Sequence, residues 1–335
     1  MDDSAPASVL VTGGCGFLGS VLVSRLVKKH HNVTVLDDLS AGDARNVPSD
    51  VKLLVGCATD RAAMREAVAG ADIIFHLASV VGQLRVHQDP AWAIHVSEAS
   101  TEIILEEAPG VPLILFSSSA VYGLETSGLC SESLDISQDT AVAYDGQMPG
   151  YAAGKWRAER IAQHAQRSPV LTLRPFNAIG PGQLGSYGMV LPRFIDWVRK
   201  GEPLRIYGDG LQARCFSASW VMIDSILKLV DSWLAGETEH SVFNVGSNVE
   251  TTILELAEAV ERICGGVTSR QFVPFDDVYP GKLDVLRRVP CTKRLEEAVG
   301  RIDWPSVDEI VLQIIGGRYS HGNRLSAVSG NRLPA

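Results

Sequence analysis

The chain has 335 residues and a formal net charge of -9 at pH 7. This length allows one large α/β domain with a smaller appended lobe. The acidic balance, without any run of basic residues, argues against nucleic acid and anionic membrane surfaces as partners. We expect a cytoplasmic protein, because no signal-peptide pattern precedes the first predicted strand and no apolar run approaches membrane-spanning length.

The first predicted strand and helix flank a glycine-rich turn. Ser8 to Val11 form a short apolar run, glycines follow at Gly13, Gly16 and Gly19, and apolar residues then recur at helical spacing. Glycine in such a turn permits backbone angles and a close approach that a Cβ would prevent, so the amides that open the helix can point at a pyrophosphate. The spacing predicts a dinucleotide site at the start of this helix.

The second predicted strand indicates which dinucleotide is bound. Asn32 to Leu36 lead into Asp37, about 20 residues beyond the turn, where a carboxylate can accept hydrogen bonds from the adenine-side ribose. Asp37 and Asp38 together would repel a 2′-phosphate, and no Lys or Arg occurs between Asp38 and Arg45. NAD is therefore favoured over NADP.

The glycine turn also carries a family resemblance. Its Gly-x-x-Gly-x-x-Gly spacing resembles the loop of the short-chain dehydrogenases/reductases, and TGGCGFLG resembles the TGGxGFIG signature of their extended branch, the nucleotide-sugar epimerases and dehydratases. The resemblance covers about residues 8–312. The cofactor-binding positions that it implies are Gly13, Gly16, Phe17, Leu18, Gly19, Asp37, Asp38, Leu39, Ala58, Leu77, Ala78, Ser79, Tyr151 and Lys155.

Up to about residue 175, predicted strands alternate with predicted helices. The strands are apolar and suited to burial on both faces, so the pattern implies an α/β fold with a doubly wound parallel sheet. Right-handed crossovers then place the ligand crevice at the carboxyl ends of the strands. The further predicted strands are 51–55, 73–77, 113–116 and 170–173, and the helices between them are 61–69, 92–108 and 152–165.

The second half of the chain is less regular. After Arg174 come glycine- and proline-rich stretches, with predicted helices at 191–199, 220–234 and 253–264. The resemblance implies a Rossmann-type sheet with a smaller C-terminal α+β substrate-binding lobe. The expected division is a NAD-binding domain over 1–176, rejoined by 217–245, a nucleotide-sugar-binding lobe over 177–216 and 246–316, and a disordered tail over 317–335.

Tyr151 and Lys155 are predicted to lie one turn apart on the same helix face. A cation near a phenol favours phenolate, and lowering a tyrosine pKa from about 10 to about 7 requires roughly 4 kcal/mol. With that help Tyr151 could act as a base near neutral pH. The alternative is an ordinary amphipathic helix with an incidental Tyr and Lys; the position of the pair, after a glycine turn and a fourth strand, favours chemistry.

Three hydroxyls follow a predicted buried strand, at Ser117, Ser118 and Ser119. They are costly there unless they bond the backbone or face a ligand. FSSSAVYG resembles the SSxxVYG motif of the extended family, in which the hydroxyl four residues before the tyrosine is catalytic, and that residue is Ser118 here. His76, at the end of an earlier strand, is more typical of a structural residue, because the family uses Tyr and Lys.

The resemblance also implies a nucleotide-sugar site. RPFNAIGPG resembles the segment whose Asn177 contacts the diphosphate, and IYGDGLQAR resembles the segment whose Arg214 grips it with a planar guanidinium. A surface ion pair is the alternative for Arg214. Arg288 or Arg287 is expected to substitute for a second diphosphate arginine. The substrate-binding positions implied are Ser118, Ser119, Tyr151, Asn177, Val190, Leu191, Arg193, Tyr207, Arg214 and Arg288.

Cysteine replaces several carboxylates of the family. Cys57, Cys215 and Cys291 stand where the family usually has Asp. The six cysteines of the chain form no Cys-x-x-Cys pair and have no nearby histidines. We therefore predict reduced thiols and no metal site.

These features predict an NAD-dependent epimerase that inverts C4 of a UDP-sugar through a transient 4-keto intermediate, with bound NAD recycled. A nucleotide-sugar 4,6-dehydratase, a decarboxylase and a 4-ketoreductase are the alternatives among enzymes. In the family, dehydratases carry Asp-Glu after the catalytic hydroxyl and decarboxylases carry a Glu near it, whereas Ser119 and Ala120 occupy those positions here. A non-catalytic NAD-binding sensor is the alternative outside enzymes, and the intact Tyr151, Lys155 and Ser118 argue against it.

The resemblance implies a homodimer. Helices 92–108 and 152–165 are expected to pair with their copies in a four-helix bundle, supported by apolar side chains such as Ile94, Ile103 and Ile161. The expected partners are thus a nucleotide-sugar substrate and a second copy of the chain, with no nucleic acid and no membrane.

Overall fold

A computed structural model describes residues 6–123, 128–134, 136, 150–165, 167–185, 189–266, 269–280 and 284–316. The tail predicted over 317–335 lies outside the described residues. The strands are β1 (Ser8–Thr12), β2 (Asn32–Asp37), β3 (Lys52–Val55), β4 (Ile73–His76), β5 (Leu113–Phe116), β6 (Val170–Pro175), β7 (Ala178–Ile179), β8 (Leu204–Tyr207), β9 (Ala213–Arg214), β10 (Ser217–Ala218), β11 (Val242–Val245), β12 (Thr251–Thr252), β13 (Arg270–Val273) and β14 (Arg287–Arg288). The helices are α1 (Phe17–Lys28), α2 (Arg61–Val68), α3 (Gln83–Gln88), α4 (Pro90–Glu107), α5 (Tyr151–His164), α6 (Val190–Lys200), α7 (Ser219–Leu234), α8 (Ile253–Cys264), α9 (Phe275–Val278), α10 (Lys293–Val299) and α11 (Val307–Ile315).

Seven parallel strands form the main sheet, in the order β11-β6-β5-β4-β1-β2-β3. The order reverses direction at β1, which pairs with β2 on one side and β4 on the other, so the predicted doubly wound sheet is confirmed. Val11 lies between Val35 and Phe75 across these pairings, and all three side chains are buried. The carboxyl ends of the strands therefore meet along one edge, where a ligand crevice belongs.

One strand differs from its prediction. The segment 51–55 was expected to be buried on both faces, but β3 is the edge strand of the sheet and its residues are only partly buried or exposed. Val55 is 67% exposed. Its apolar composition resembles that of the central strands, and composition alone does not distinguish an edge strand from a central one.

The chain returns to the main sheet after leaving it. β11 pairs with β6 in parallel, and α7, just before β11, packs on α1 through an ion pair of Arg25 Nε with Asp224 Oδ1 at 2.6 Å. The remaining strands form three small sheets, β10-β7, β12-β9-β14 and β13-β8. A separate core lies beneath them, where Phe194, Ile206 and Leu256 are buried together. This second core supports the residues predicted to bind the substrate.

The described residues contain neither a membrane-spanning helix nor a cluster of metal-ligating side chains. No helix within them is long and apolar enough to cross a bilayer. Across the same residues, no three or more His, Cys, Asp and Glu side chains come together in a way that could hold a metal ion. No disulfide bond joins any of the six cysteines, all of which lie within the described residues.

Candidate active site

The glycine turn is held tightly against the sheet. Gly13 has a φ of +71°, and a Cβ there would lie 2.8 Å from the amide nitrogen of Ala78, at the end of β4. A Cβ on Gly19 would overlap the carbonyl oxygen of Gly13. Any larger residue at either position would push α1 away from the strand ends. The turn thus brings the start of α1 to the carboxyl edge of the sheet.

The first turn of α1 is open to an anion. Gly16 is its N-cap, no side chain of the described residues caps the helix, and no acidic residue occurs in the first turn. Because the first N–H groups of a helix have no partner within it, the amides of Phe17, Leu18 and Gly19 are suited to phosphate oxygens, and the helix dipole favours negative charge there.

Asp37 connects the glycine turn with the segment after β2. Its buried carboxylate accepts N–H bonds from Cys15 at 2.9 Å and Leu39 at 2.8 Å. Burial raises the pKa of Asp37, while the two backbone hydrogen bonds act in the opposite direction. Each carboxylate oxygen retains a lone pair for a ribose hydroxyl. The neighbouring Asp38 is exposed and accepts from the amide of Ser40 at 2.9 Å.

His76 is part of the scaffold. Its Nδ1 lies 2.7 Å from Thr12 Oγ1 and its Nε2 lies 3.0 Å from Ser100 Oγ. Burial, with a smaller contribution from the charge of Lys155, lowers the pKa of His76 from 6.5 to about 3, so the ring is neutral. Thr12 Oγ1 also accepts from the amide of Ala78 at 3.3 Å. This network fixes the segment after β4, which includes Leu77, the next predicted cofactor position.

Two buried hydroxyls lie at the strand ends. Ser79 Oγ, after β4, and Ser117 Oγ, after β5, are buried and have no hydrogen-bond partner among the described residues. The site therefore fits NAD: helix amides suit the pyrophosphate, Asp37 suits a ribose, and the two hydroxyls can meet further polar groups of the cofactor. Ala58, after β3, is buried at the same edge.

Tyr151 and Lys155 lie at the start of α5. Gly150, with a φ of +104°, precedes the helix, and a Cβ there would overlap the carbonyl oxygen of Pro90 at the start of α4. Lys155 is buried, and its Nζ donates to the carbonyl oxygen of Phe116 at 2.7 Å. Burial lowers the pKa of Lys155 from 10.5 to about 8, against the opposing charge of Glu159. The ammonium thus lies where β5 leads into the serines.

Ser118 opens a short 3-10 turn, Ser119–Tyr122. Its Oγ accepts from the amide of Ala120 at 3.1 Å, so the hydroxyl proton is still available to a ligand. Ser119 and Ala120 are buried. Within the described residues, no carboxylate occupies the two positions after Ser118.

A cavity of about 260 Å³ in the second half of the chain brings most of the predicted substrate positions together. Arg193 places its guanidinium over the ring of Tyr207, with 5.2 Å from Cζ to the ring centroid. Arg214 forms an ion pair with Asp284 at 3.2 Å. Six predicted positions are among the residues that line the cavity: Asn177, Val190, Leu191, Arg193, Tyr207 and Arg214.

Arg288 lies elsewhere. It is the register partner of Arg214 across β14 and β9, but its Nη2 donates to the carbonyl oxygen of Gly123 at 2.7 Å and it does not line the cavity. Arg287 pairs with Glu250, with Nη2 at 2.7 Å from Oε1. The structure therefore brings Arg214, and neither of these arginines, to the cavity. Ser118, Ser119 and Tyr151 also lie outside it, at the ends of β5 and the start of α5.

Sequence reasoning missed several site residues. Asp284, the partner of Arg214, lines the cavity, as do Gln183 and Gln212. Gln212 lies inside the segment matched as IYGDGLQAR, and Gln183 directly follows the segment matched as RPFNAIGPG, so their positions in the sequence could have indicated a role in the site. Cys215, where a carboxylate was expected next to Arg214, is buried, and burial raises its pKa to about 12. It is therefore a neutral thiol, and Asp284 supplies the carboxylate.

The sequence is similar to proteins of known function. A model of the NAD dependent epimerase/dehydratase family matches residues 9–246. The UDP-N-acetyl-alpha-D-glucosaminuronate decarboxylase of Bacillus cytotoxicus is 31% identical over 300 residues, which cover 86% of this chain and 90% of that protein. The UDP-glucose 4-epimerase of Mycolicibacterium smegmatis is 31% identical over 301 residues, covering 83% and 88%.

A solved structure gives the same result for the fold. The UDP-glucose 4-epimerase of Thermus thermophilus, in complex with NAD, superposes with a TM-score of 0.79 at 25% identity, covering 93% of this chain and 99% of that one. The chain belongs to the NAD-dependent epimerase/dehydratase family.

Proposed function

We propose that this protein inverts C4 of a UDP-sugar through a 4-keto intermediate. The observation that carries the proposal is the buried ammonium of Lys155, held by the carbonyl of Phe116 at the strand end that leads into Ser118. Tyr151 lies one helical turn before Lys155. A base, a cation and a hydroxyl are thus available at the cofactor edge of the sheet.

The chemistry divides between cofactor and protein. NAD, when bound, supplies reversible hydride transfer at C4 of the sugar. Tyr151, with its phenolate favoured by Lys155, takes the proton of the 4-hydroxyl as the C4 carbonyl forms and returns it when the carbonyl is reduced. Ser118 hydrogen-bonds the same oxygen through both steps. Inversion requires the keto sugar to turn over between them, so that reduction occurs on its other face.

The nucleotide is proposed to occupy the cavity of the second lobe. Arg214 offers a guanidinium to the diphosphate, and Asn177, which has a φ of +32° and donates Nδ2 to the carbonyl of Cys215 at 3.3 Å, is rigidly placed beside it. The ring of Tyr207, beneath Arg193, is a surface on which a base can stack. UDP is favoured as the carrier, because the curated relatives named above act on UDP-sugars.

Decarboxylation is the second candidate, and a similar protein favours it: the Bacillus cytotoxicus relative is a UDP-sugar acid decarboxylase. A uronate oxidised at C4 is a β-keto acid, which loses CO₂ readily, so the C6 group of the sugar would decide the product. Ser119 and Ala120 stand where the family's decarboxylases carry a Glu. The absence of a Glu at these two positions favours epimerisation over decarboxylation.

Absorbance near 340 nm, followed by product analysis, tests the proposal. Purified protein is mixed with UDP-glucose or UDP-glucuronate, and we expect transient absorbance and a C4 epimer from the neutral sugar. Tyr151→Phe should show no transient absorbance, and its turnover rate should be 10²- to 10⁴-fold lower than that of the wild type. Tyr207→Phe, which keeps the ring beneath Arg193, is the matched control and should keep the transient. Absorbance of wild-type strength in Tyr151→Phe would show that another group is the base, and release of CO₂ with a pentose product would favour the decarboxylase.

A further inference from the structure

A buried ion pair lies directly behind Lys155. Glu159 is one turn further along α5, and its carboxylate accepts from Arg174 on β6, with Nε to Oε1 at 2.9 Å and Nη2 to Oε2 at 2.6 Å. The side chains are 2% and 6% exposed for Glu159 and Arg174. Burying two charges requires a fixed geometry and further hydrogen bonds. The position of the pair, against the proposed catalytic helix, calls for an explanation beyond stability.

The pair is fixed from the other side by a chain of neutral groups. Arg174 Nη1 donates to the hydroxyl of Tyr122 at 2.9 Å, and that hydroxyl donates to Asn244 Oδ1 at 2.7 Å. Asn244 Nδ2 in turn donates to the carbonyl of Cys130 at 2.8 Å. Tyr122 ends the 3-10 turn that Ser118 opens. The ion pair therefore joins the helix of Lys155 to the turn of Ser118.

Few charges act on Lys155. On its own helix it has Tyr151 one turn before and Glu159 one turn after; on β4 the neighbouring His76 is neutral. On β6, Arg174 is directed at Glu159. Among the described residues, Glu159 is the one carboxylate whose charge raises the pKa of Lys155. Burial alone would make the ammonium still easier to deprotonate.

We propose that Glu159, clamped by Arg174, is a positioning residue that keeps the buried Lys155 protonated and holds the turn of Ser118 against α5. The inference rests on the proposed function, in which Lys155 is the cation beside Tyr151. Arg174 directs the carboxylate and balances its charge within the buried pair. Lys155 can then stay charged at neutral pH while it remains buried, so the site does not need water to stabilise the ammonium.

The test is a direct titration of Lys155 in protein to which no nucleotide sugar has been added. The lysine Cε signals are followed by NMR against pH, and the Lys155 signal is the one missing from Lys155→Met. In Glu159→Gln we expect its midpoint to fall by about one pH unit, since a unit charge one helical turn away is removed. Glu107→Gln, which also loses a carboxylate paired with arginines but at the surface, is the matched control and should leave the midpoint unchanged.

A second variant keeps the test decisive if Glu159→Gln fails to fold. Glu159→Leu with Arg174→Met removes both charges and leaves no unpaired one, and it should shift the midpoint in the same direction by a smaller amount. An unchanged Lys155 midpoint in the folded variants would overturn the inference. Because no sugar is present, a failure of the proposed reaction would leave this titration unaffected.

Discussion

Replacing Lys155 by Met should change how the stability of the protein depends on pH. The ammonium is buried, so folding disfavours its charged form, and its pKa falls from 10.5 to about 8. Above about pH 8 the folded protein gives up a proton that the unfolded chain keeps until pH 10.5. The contribution of Lys155 to the free energy of unfolding is therefore most favourable above pH 10.5, and it declines as the pH falls from 10.5 to about 8.

The size of the effect follows from those two values. The shift of 10.5 to about 8 corresponds to about 3 kcal/mol over the full range, of which about 2 kcal/mol falls between pH 7 and pH 9.5. Met does not titrate and contributes nothing to this slope. The substitution also leaves the carbonyl of Phe116 without its donor, which costs about 1 to 3 kcal/mol at every pH. The difference between the two pH values is thus a cleaner measure than the stability at either one.

Urea unfolding at pH 7 and pH 9.5 measures this difference. We expect the free energy of unfolding of the wild type, relative to Lys155→Met, to rise by about 2 kcal/mol between the two. Lys200→Met removes an exposed lysine from an i,i+4 pair with Asp196 and should show little change. A wild-type-to-variant difference that is the same at both pH values would refute the reasoning, because Lys155 would then titrate alike in the folded and unfolded chains.

Three further predictions concern ligands and assembly. Asp37→Arg should weaken NAD binding and relatively favour NADP, measured by calorimetry; NAD affinity within a factor of two of wild type would contradict the ribose role. Arg214→Met should weaken UDP binding by about 2 kcal/mol, roughly 30-fold, and leave NAD affinity unchanged; equal loss of both ligands would indicate misfolding instead. Light scattering at micromolar concentration should give the mass of two chains, and a strictly monomeric mass would rule out the homodimer.

Local patterns were enough for the cofactor half of the fold. The spacing of Gly13 and Gly19 lies within one βα unit and Asp37 ends the next strand, so local spacing was enough to predict the turn and the carboxylate. Contacts between distant segments were not predictable in this way. The hydrogen bond from Lys155 to Phe116 and the clamp of Glu159 by Arg174 join different elements, and only the three-dimensional arrangement brings them together.

Two other differences between the predictions and the structure also arise from contacts between distant segments. The apolar residues of 51–55 resemble those of a central strand, and the edge position of β3 depends on the pairing of the whole sheet. Arg288 or Arg287 was expected to substitute for a second diphosphate arginine. In the structure, the backbone pairing of β14 with β9 places Arg288 beside Arg214, but the guanidinium of Arg288 donates to the carbonyl oxygen of Gly123.

Because β11 follows β6 only after a long intervening segment, the main sheet can be completed only late in synthesis. β6 is made well before its outer neighbour β11, and until then its free edge can pair with another chain. Phe243 and Val245, buried in the core of the sheet, reach it only with that last strand. A nascent chain must therefore make residues 177–216 before β11 can complete the main sheet. A fragment that ends at residue 176 would leave the edge of β6 unpaired and open to association with another chain.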